Sequence, residues 1–455
     1  MLEWAWLAPR RMERALRAQG LKGTRYRFLW GDLKEERRQA VEALSRPVSM
    51  DRPHDVLPRV SPLLHRAVEE HGKLSFTWFG TTPRVTIIDP ELVREVTSNK
   101  DGYFVKTKLA TRIVKLLIGG VAILDGEKWA KHRRIMNPAF HAEKLKGMLP
   151  AFFSACSDLI CRWDNLIANS TETIELDIWS EFQNLSGDVL SRAVFGVSYQ
   201  EGRKIFVLQA EQLVRVIQSF GTNHIPGFSL LPTKNNRRMK AINRETKKIL
   251  RGIIEKRYEA MENGERTETT AVLLTWTMVA LSMHPEWLDR ARDEVLQVFG
   301  QNKPDLSGIN RLKVVTMVLY EVLRLYPPAL FLNRRTHKQT ELAGVMYPPD
   351  VMFVIPIMFI HRDPVFWGPD AGEFNPGRFA EGVSKACSDP GAFIPFSWGP
   401  RVCIGQNFAL LEAKLGISMI LQRFAFELSP AYVHAPYSIL TLHPQHSVLV
   451  RVRRL

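Results

Sequence analysis

One ten-residue loop, Phe396–Gly405, constrains this chain more than any other segment. It reads Phe-Ser-Trp-Gly-Pro-Arg-Val-Cys-Ile-Gly, so glycine and proline break the chain around Cys403, and Arg401 stands two residues before it. The segment that follows, Gln406–Gly416, predicts a helix. Because a helix N-terminus and backbone N–H groups favour negative charge, the loop suits a metal-bound cysteine thiolate.

The loop also offers what a thiolate bound to haem iron requires, namely hydrogen-bond donors, shelter from water and a counter-charge. Gly399 and Gly405 lack a Cβ, so the backbone can approach a flat macrocycle closely. The guanidinium of Arg401 matches the carboxylate of a haem propionate. The alternative is a buried structural cysteine, the usual state of an intracellular cysteine. The phenylalanine, glycines and arginine at these spacings favour the haem thiolate.

The loop resembles that of the cytochrome P-450 family, the haem-thiolate monooxygenases, which reads Phe-x-x-Gly-x-Arg-x-Cys-x-Gly. All five fixed positions match. The resemblance implies a mostly α-helical chain with a small β lobe, the two-lobed α+β fold of that family. It implies haem b with Cys403 as the axial iron ligand, dioxygen at the open iron face, and electrons from an NADPH-dependent flavoprotein reductase. From Tyr26 onward the chain looks most like the plant clan that includes the secologanin synthases.

Length and composition fit a single large unit. The chain has 455 residues, 45% of them hydrophobic, which is enough to bury a large core. No linker, low-complexity tract or repeat divides it, so we predict one domain over residues 13–455. The four cysteines form no Cys-x-x-Cys pair and no zinc-like ligand set, which favours reducing surroundings.

The net charge of +15 is strongly basic for a soluble enzyme. Nucleic acid, an anionic membrane or an acidic protein partner could each explain it. No recognised nucleic-acid motif accompanies the charge, so we predict no nucleic-acid partner. Basic residues concentrate between Arg10 and Arg46, and again at Lys128, Lys131 and Arg134, which could meet an acidic reductase.

The first twelve residues resemble the end of the membrane anchor and basic hinge that eukaryotic members of the family carry. No run of about eighteen apolar residues is present, so we expect the anchor itself to be missing. Trp4, Trp6, Arg10 and Arg11 suit a membrane interface. We therefore expect peripheral association with the cytosolic face of the endoplasmic reticulum membrane.

Local patterns predict the main elements. Alternating apolar residues around Gly80-Thr-Thr-Pro83 predict a β-hairpin over residues 74–87. Asp89, Pro90 and Glu91 predict the N-cap and first turn of a helix. Further helices are predicted over residues 127–137, 149–166, 181–194, 202–220 and 237–261, a strand over 351–355, and a terminal hairpin of 438–442 against 447–452.

A Glu-x-x-Arg pair, Glu321 and Arg324, lies on one face of a predicted helix. An exposed pair of this kind is common and contributes little. The downstream segment Phe374-Asn-Pro-Gly-Arg378 changes this interpretation, because in the family an arginine from such a segment joins the helical pair in a buried network around the cysteine loop. The resemblance assigns that role to Glu321, Arg324 and Arg378. Gly377 stands where many members have an acid.

Other residues are assigned to the haem propionates by resemblance. Trp129 and Arg133 share a helical face; alone they could equally be a structural tryptophan beside a solvated basic face, but in the family this spacing donates two hydrogen bonds to a propionate. Arg335 resembles a further propionate ligand, and residues 329–332 a substrate-facing segment. His361 has no second ligand at a suitable spacing, so we predict a structural role.

Residues 268–284 are apolar nearly all round and predict a buried helix. Glu268 and Thr269, at its start, resemble the acid–alcohol pair with which the family activates oxygen. A hydroxyl that holds water, with a carboxylate to relay protons, can deliver protons one after another to the distal oxygen of an iron-bound peroxide. We assign Glu268 and Thr269 this catalytic role.

The segment before this helix departs from the family pattern. Glu265 and Arg266 stand where the family has Ala-Gly or Gly-Gly, and a polar helix ending precedes them. The first half of the family's central helix is therefore expected to be missing. Because Arg266 would bury an unpaired charge beside the iron, we predict that the chain swings away. An exposed or water-filled distal pocket, weakened proton delivery and reduced stability would follow.

Two functions remain open from the sequence. The first is a haem-dependent monooxygenase that inserts one oxygen atom into a lipophilic small molecule, with terpenoids among the candidates. The second is a truncated, catalytically impaired or non-catalytic haem-binding member of the same family.

Overall fold

The computed structural model describes residues 2–99, 102–107, 120–170, 173–195, 207–212, 214–216, 218, 231–256 and 268–455. Across these residues the chain is mostly helical, with one six-stranded sheet, one three-stranded sheet and two two-stranded sheets. The predicted α+β fold, mostly α with a small β lobe, is confirmed.

The main α-helices are α1 (Ala8–Ala18), α2 (Leu33–Leu44), α3 (Pro62–His71), α4 (Pro90–Ser98), α5 (Gly126–Met136), α6 (Ala142–Ala168), α7 (Ile178–Leu190), α8 (Lys234–Lys256), α9 (Glu268–Met283), α10 (Pro285–Phe299), α11 (Leu306–Arg311), α12 (Val314–Leu325) and α13 (Gln406–Arg423). Four-residue helices are also present at Leu57–Val60, Ile357–Ile360 and Pro364–Trp367.

The strands are β1 (Lys22–Gly23), β2 (Ser75–Phe79), β3 (Thr82–Thr86), β4 (Phe104–Lys106), β5 (Thr173–Asp177), β6 (Phe331–Thr336), β7 (Thr340–Leu342), β8 (Val345–Tyr347), β9 (Met352–Pro356), β10 (Phe424–Leu428), β11 (Pro436–Ser438), β12 (Leu442–Pro444) and β13 (Leu449–Arg454). The six-stranded sheet has the order β1-β2-β3-β9-β6-β4. The predicted hairpin is confirmed, since β2 and β3 pair antiparallel from Ser75 opposite Thr86 to Phe79 opposite Thr82.

The predicted terminal hairpin is wrong. Strand β11 pairs with β12, whereas β13 lies between β10 and β5 and pairs antiparallel with both. Val450 and Val452 alternate with exposed arginines and are wholly buried in this arrangement. A central position satisfies the backbone groups on both edges of β13, which a hairpin would do for one edge alone.

Several predicted helices are present with changed ends. α5 and α7 agree closely with the prediction, and α7 continues as one π-helical turn, Ser191–Phe195. α6 starts earlier than predicted and carries Pro150 inside it, because Leu145 and Phe152 on either side of the proline are both buried and the packing outweighs one lost hydrogen bond. The helix predicted over 237–261 is present as α8, and its last five residues lie outside the described residues. Of the helix predicted over 202–220, residues 207–212, 214–216 and 218 are described and are helical, and the rest lie outside the described residues.

Helix α9 runs through the centre of the described structure. It packs against α7, α12, α13 and β10, and its residues from Ala271 to Leu281 are buried on every face. The predicted buried helix is therefore confirmed for this part of the chain. Burial on all sides explains why its sequence is apolar without a helical period.

The N-terminal residues pack on the sheet side of the molecule. Residues Glu3–Leu7 form a π-helical segment that continues directly into α1. α1 runs without interruption across the predicted boundary between residues 12 and 13. Trp6 contacts Tyr26, with ring centroids 5.9 Å apart, and Tyr26 donates a hydrogen bond to the Ala5 carbonyl. Among the described residues, none of the helices combines the length and apolar character that crossing a bilayer requires.

Candidate haem-thiolate site

Two residues of the cysteine loop have a left-handed backbone conformation. Ser397 and Gly399 both have positive φ values, 69° and 72°. A Cβ on Gly399 would lie 3.2 Å from the carbonyl oxygen of Thr97 in α4, so glycine is needed for conformation and for space. The backbone N–H of Cys403 donates to the Phe396 carbonyl at 2.8 Å, and the Cys403 side chain is exposed. The loop thus closes on itself and presents the thiol outward.

Helix α5 holds this loop in place. Arg133 donates to the carbonyl of Val402 at 2.8 Å. Arg401 donates to the Leu124 carbonyl at 2.7 Å and forms an ion pair with Asp125, just before α5 begins. The two loop residues before Cys403 are therefore joined to α5 and to the residues preceding it by charge-assisted hydrogen bonds.

Trp129 completes this side of the loop. The guanidinium carbon of Arg401 lies 4.5 Å from the centre of the Trp129 ring, within the range of a cation–π contact. Burial lowers the pKa of Arg401, and the ion pair with Asp125 opposes that shift. The structure thus brings together the four residues Trp129, Arg133, Arg401 and Cys403, which lie far apart in sequence.

The neighbouring residues Arg334 and Arg335, near the end of β6, have different surroundings. Arg335 forms an ion pair with the exposed Asp350. Arg334 is 2% exposed, and its Nη2 has no hydrogen-bond partner within the described residues. Burial and the nearby charge of Arg401 together lower the pKa of Arg334 to about 10, and Asp125 opposes that shift. Nε of Arg335 also has no hydrogen-bond partner within the described residues, so the two arginines differ in that Arg335 has a carboxylate partner, Asp350, and Arg334 has none in an ion pair that the structure shows.

The predicted network around Glu321 forms a buried cluster. Arg324 donates through Nε and Nη2 to the two carboxylate oxygens of Glu321, both at 2.7 Å, and neither side chain is exposed. Its remaining N–H groups donate to the carbonyls of His361, Ala371 and Glu373. This arginine is fully satisfied, as a buried cation must be.

Arg378 joins the same carboxylate. Its Nε donates to Glu321 at 3.3 Å, and its Nη2 donates to Asp370 at 2.8 Å. The backbone N–H of Asn375 adds a third contact to Glu321, at 2.8 Å. The structure therefore brings Glu321, Arg324 and Arg378 together, as the pattern indicated.

His361 links this network to the cysteine loop. Its Nδ1 lies 3.1 Å from the Arg324 carbonyl, and its Nε2 accepts from the Ile394 N–H at 2.9 Å, two residues before the loop begins. Burial lowers the pKa of His361 to about 3, so the ring is neutral. Among the described residues, no group of three His, Cys, Asp or Glu is arranged to hold a metal ion.

The predicted oxygen-activating pair, Glu268 and Thr269, lies at the first turn of α9. Glu268 is the first residue of that helix, Thr269 is exposed and Thr270 is buried. Gly264, Glu265 and Arg266 lie outside the described residues. The prediction of an open distal pocket with weakened proton delivery therefore stays a prediction.

Sequence reasoning missed Glu412, a wholly buried acid in α13. Ser186 in α7 donates to its Oε1 at 2.7 Å. Burial raises the pKa of Glu412 to about 8, and the hydroxyls of Ser186 and Thr270 offset part of that shift. Glu412 is thus protonated at neutral pH and ties α13 to α7 and α9. Its signal in the sequence was an acid among apolar neighbours, Leu410-Leu411-Glu412-Ala413.

Comparison with known proteins decides the family. The cytochrome P-450 family model matches residues 61–268 and 263–448. The chain is a cytochrome P-450. It is 55% identical to cytochrome P-450 CYP72A616 of Paris polyphylla and 47% identical to cytochrome P-450 72A11 of Arabidopsis thaliana, in both cases over all of this chain and 95% of the relative. Secologanin synthase 1 of Catharanthus roseus is 44% identical with the same coverage.

These matches make the chain a plant cytochrome P-450 of the CYP72 clan and a monooxygenase of the oxidoreductase class. The cofactor of the family is haem b, held through a cysteine thiolate. The predicted family, enzyme class and cofactor are thereby confirmed.

The family match is divided at one place. The family model matches in two segments, which overlap at residues 263–268, at the start of α9. The alignment with CYP72A616 extends over 495 positions, although this chain has 455 residues. About forty positions of that alignment therefore have no residue in this chain. The division falls where the sequence pattern indicated that half of the central helix is missing.

Proposed function

We propose that this cytochrome P-450 inserts one oxygen atom from dioxygen into a lipophilic small molecule, with electrons from an NADPH-dependent flavoprotein reductase. The main support is the cysteine loop, in which Cys403 is exposed, Arg133 donates to the neighbouring Val402 carbonyl, and Arg401 packs against Trp129. A relative named secologanin synthase supports terpenoids as candidate substrates.

The residues around the loop fit haem b. Arg334 and Arg401 are two close cations, and Asp125 is the carboxylate that lies with them. A buried cation without full pairing is costly, so this part of the site calls for an added anion, which a haem propionate would provide. We assign the propionates to Trp129, Arg133, Arg334 and Arg401. Because Arg335 already has an ion pair with Asp350, we propose Arg334 for the role that the pattern gave to Arg335.

Haem would supply the activation of dioxygen, and the protein would control charge and protons around it. Cys403 would supply the thiolate ligand. It lies three residues before the start of α13, and the N-terminus of that helix favours the negative charge of a thiolate. On the other face, the exposed hydroxyl of Thr269 would hold a water molecule, and Glu268 would relay protons to it.

The Glu321 network would keep the loop in position. Its effect reaches the loop through His361, which joins the Arg324 carbonyl to the N–H of Ile394. Because every buried charge in that network has partners, it can hold the backbone at one geometry. We propose a positioning role for Glu321, Arg324 and Arg378.

The reductase would dock beside α5. Lys128, Lys131 and Arg134 are exposed on this helix, which also supplies Trp129 and Arg133 to the cysteine loop. An acidic partner on this face would therefore approach the thiolate side of the haem. Attraction between opposite charges speeds such encounters.

We also propose peripheral association with the cytosolic face of the endoplasmic reticulum membrane. Leu2, Leu7 and Phe28 are exposed apolar side chains near the exposed Arg10 and Arg11. Apolar and basic groups together suit an anionic membrane surface. Recovery wholly in the soluble fraction at low salt would count against this.

A second candidate is a truncated member that binds haem without efficient turnover. The divided family match before α9 favours it, because that segment carries the distal half of the haem pocket in the family. Under this alternative the cysteine side is intact and the oxygen side is impaired.

A spectrum and a turnover assay separate these functions. We expect the dithionite-reduced, haem-loaded protein to give the carbon monoxide spectrum of a thiolate-ligated haem, and Cys403→Ser to lose it while Cys387→Ser keeps it. Absence of that spectrum from the unchanged protein would refute both candidates. Reductase-coupled turnover with terpenoids then distinguishes a monooxygenase from a haem-binding relic, since the relic would consume NADPH without forming product.

A further inference from the structure

A stack of rings behind α9 has no part in the site described above. Trp276 in α9 and Tyr326 at the end of α12 lie face to face, with centroids 4.9 Å apart and planes 10° apart. Both side chains are wholly buried. The hydroxyl of Tyr326 lies 2.8 Å from Nδ1 of His54, which comes from the N-terminal segment. Tryptophan and tyrosine are the side chains most easily oxidised by one electron, so their stacking is chemically notable.

The hydrogen bonds continue from Tyr326 to the surface. Nε2 of His54 lies 3.0 Å from Nε2 of His284, the residue that follows α9. Nδ1 of His284 lies 3.5 Å from Oε1 of Glu286. The Glu286 side chain is 61% exposed, whereas Tyr326 is buried. Two imidazoles therefore connect a buried phenol with a solvent-exposed carboxylate.

One arrangement of protons satisfies every hydrogen bond in the row of side chains that runs from Tyr326 through His54 and His284 to Glu286. The Glu286 carboxylate can only accept, so Nδ1 of His284 carries its proton and Nε2 of His284 accepts. His54 then donates through Nε2 and accepts at Nδ1 from the hydroxyl of Tyr326. The Pro53 carbonyl, at 3.2 Å, is a longer alternative acceptor for that hydroxyl. Each proton in the row thus points outward, from the core toward Glu286.

The surroundings of His54 favour movement of a proton past it. Burial lowers the pKa of His54 to about 2, and the charges of His284, Arg362, His434 and Arg324 lower it as well. A proton that reaches His54 therefore cannot rest there. Burial lowers the pKa of His284 as well, and the neighbouring Glu286 carboxylate opposes that shift. The exposed Glu286 carboxylate is therefore the group on which a proton leaving the row can remain in contact with water.

The ring stack shares its helix with Thr269, which we assign to the oxygen side of the proposed haem pocket. Trp276 follows Thr269 by seven residues in the same helix. Seven residues make two turns, so the two side chains share one face of α9, roughly 10 Å apart along its axis.

From these contacts we propose that Trp276 and Tyr326 form a redox-active pair that donates one electron to the haem when an oxidising equivalent is not used on substrate. Trp276 passes the electron and regains one from Tyr326. The O–H bond of Tyr326 breaks, and an N–H bond forms at Nδ1 of His54. The Nε2 proton of His54 moves to His284, and the Nδ1 proton of His284 moves to Glu286. The haem is reduced by one electron, and a neutral tyrosyl radical remains on Tyr326.

A second tyrosine provides an internal contrast. The hydroxyl of Tyr432 lies 2.6 Å from Nδ1 of His434, and the His434 ring packs edge-on against Trp276 at 5.7 Å. Nε2 of His434 is buried, and the further partner of this ring is the backbone at Pro53 instead of a second imidazole. A proton from Tyr432 therefore has no row of titratable side chains that leads to the surface, unlike a proton from Tyr326. The stable radical should form on Tyr326 and not on Tyr432.

Electron paramagnetic resonance after reaction with hydrogen peroxide tests this directly. The haem-loaded full chain is mixed with peroxide and frozen, and we expect the signal of a neutral tyrosyl radical. Tyr326→Phe should lose the signal, while Tyr432→Phe should keep it. Absence of a tyrosyl signal in the unchanged protein, or its persistence in Tyr326→Phe, would overturn the proposal.

Two surface variants test the proton path without disturbing the core. Glu286→Gln removes the final acceptor and should reduce the radical yield, whereas Asp289→Asn, more exposed on the same helix, should not. Equal yields in the two variants would refute the path. The inference rests on the proposed haem function, and the absorption spectrum recorded before peroxide distinguishes the two. A chain that loads no haem contradicts both, and a loaded chain without a tyrosyl radical contradicts this inference alone.

Discussion

Two clusters of buried charge lie near the cysteine loop, and they differ in how they are completed. Around Glu321, two arginines and a backbone N–H surround one carboxylate, and the protein itself supplies the remaining partners of Arg324. Beside the loop, Arg334 and Arg401 stand close together, and Nη2 of Arg334 has no partner among the described residues. The first cluster is complete in the protein alone, while the second calls for an added anion.

This difference separates folding from cofactor binding. A fully paired buried network stabilises one arrangement of the chain, and the loss of one member leaves an uncompensated charge. An incompletely paired cluster costs the protein stability until a ligand compensates it. The first should therefore govern whether the chain folds, and the second whether it retains haem.

The largest effect is expected at Arg324. Arg324→Ala leaves the Glu321 carboxylate buried beside Arg378 alone and should cost about 3 to 5 kcal/mol of unfolding free energy. Urea unfolding of the full chain measures this. Arg311→Ala, at an exposed arginine of α11, is the control and should change stability by less than about 0.5 kcal/mol. Similar losses in both variants would mean that the network has no special role.

Glu412 should give a smaller effect that depends on pH. Its folded pKa of about 8 lies above the unfolded value, so between the two the folded state binds a proton that the unfolded state does not. Its contribution is fully present below about pH 4.5 and is lost as pH rises through about 8. The loss should be on the order of a few kcal/mol.

Glu412→Gln should remove this part of the pH dependence, because the amide stays neutral. Unfolding free energies of variant and parent at pH 5 and at pH 8 measure it. Glu427→Gln, an exposed acid on β10, should leave the dependence as it is. The same change in stability from pH 5 to pH 8 in the parent and in Glu412→Gln would contradict a neutral Glu412.

Arg334 and Arg335 provide the sharpest contrast, since they are neighbours with opposite surroundings. Arg334→Gln should weaken haem retention by about 10- to 100-fold, the range for residues that support a metal site from outside its ligands. It should not destabilise the haem-free chain. Arg335→Gln loses an ion pair with the exposed Asp350, worth less than about 1 kcal/mol. The rate of haem transfer to an apo-globin measures retention. If Arg335→Gln loses haem faster than Arg334→Gln, Arg335 is the propionate ligand, as the sequence pattern predicted.

The smallest effect concerns the basic face of α5. Replacing Lys128 and Lys131 by glutamine should slow association with the reductase and weaken its salt dependence, while thiolate-haem absorption is unchanged. Lys22→Gln, an exposed lysine on β1, is the matched control. Stopped-flow reduction at two ionic strengths measures the rates. Unchanged rates would remove this face as the docking surface.

Local patterns predicted much of this site. The spacing of Gly399, Arg401 and Cys403 identified the loop, because close approach and charge depend on adjacent residues. Trp129 and Arg133 were found because one helical face carries both. The hairpin over residues 74–87 was found for the same reason, since a turn and its flanking alternation are local.

The sequence was less informative where a distant partner decides the outcome. Alternation along β6 places Arg334 and Arg335 on opposite faces of the strand but does not say which face is covered. β13 was paired with its neighbour in sequence, although its partners are β10 and β5. Glu412 was overlooked because an isolated acid in a helix usually faces water, and Ser186 and Thr270 come from other helices.

By itself, the sequence determined the haem-thiolate loop, the family and the predominance of helix, because each is written in residues close together along the chain. Tertiary structure decided which arginine is buried, which acid is neutral, and that Trp276, Tyr326, His54 and His284 meet. Burial and pairing depend on residues far apart in sequence, and the charge state of a side chain follows from them.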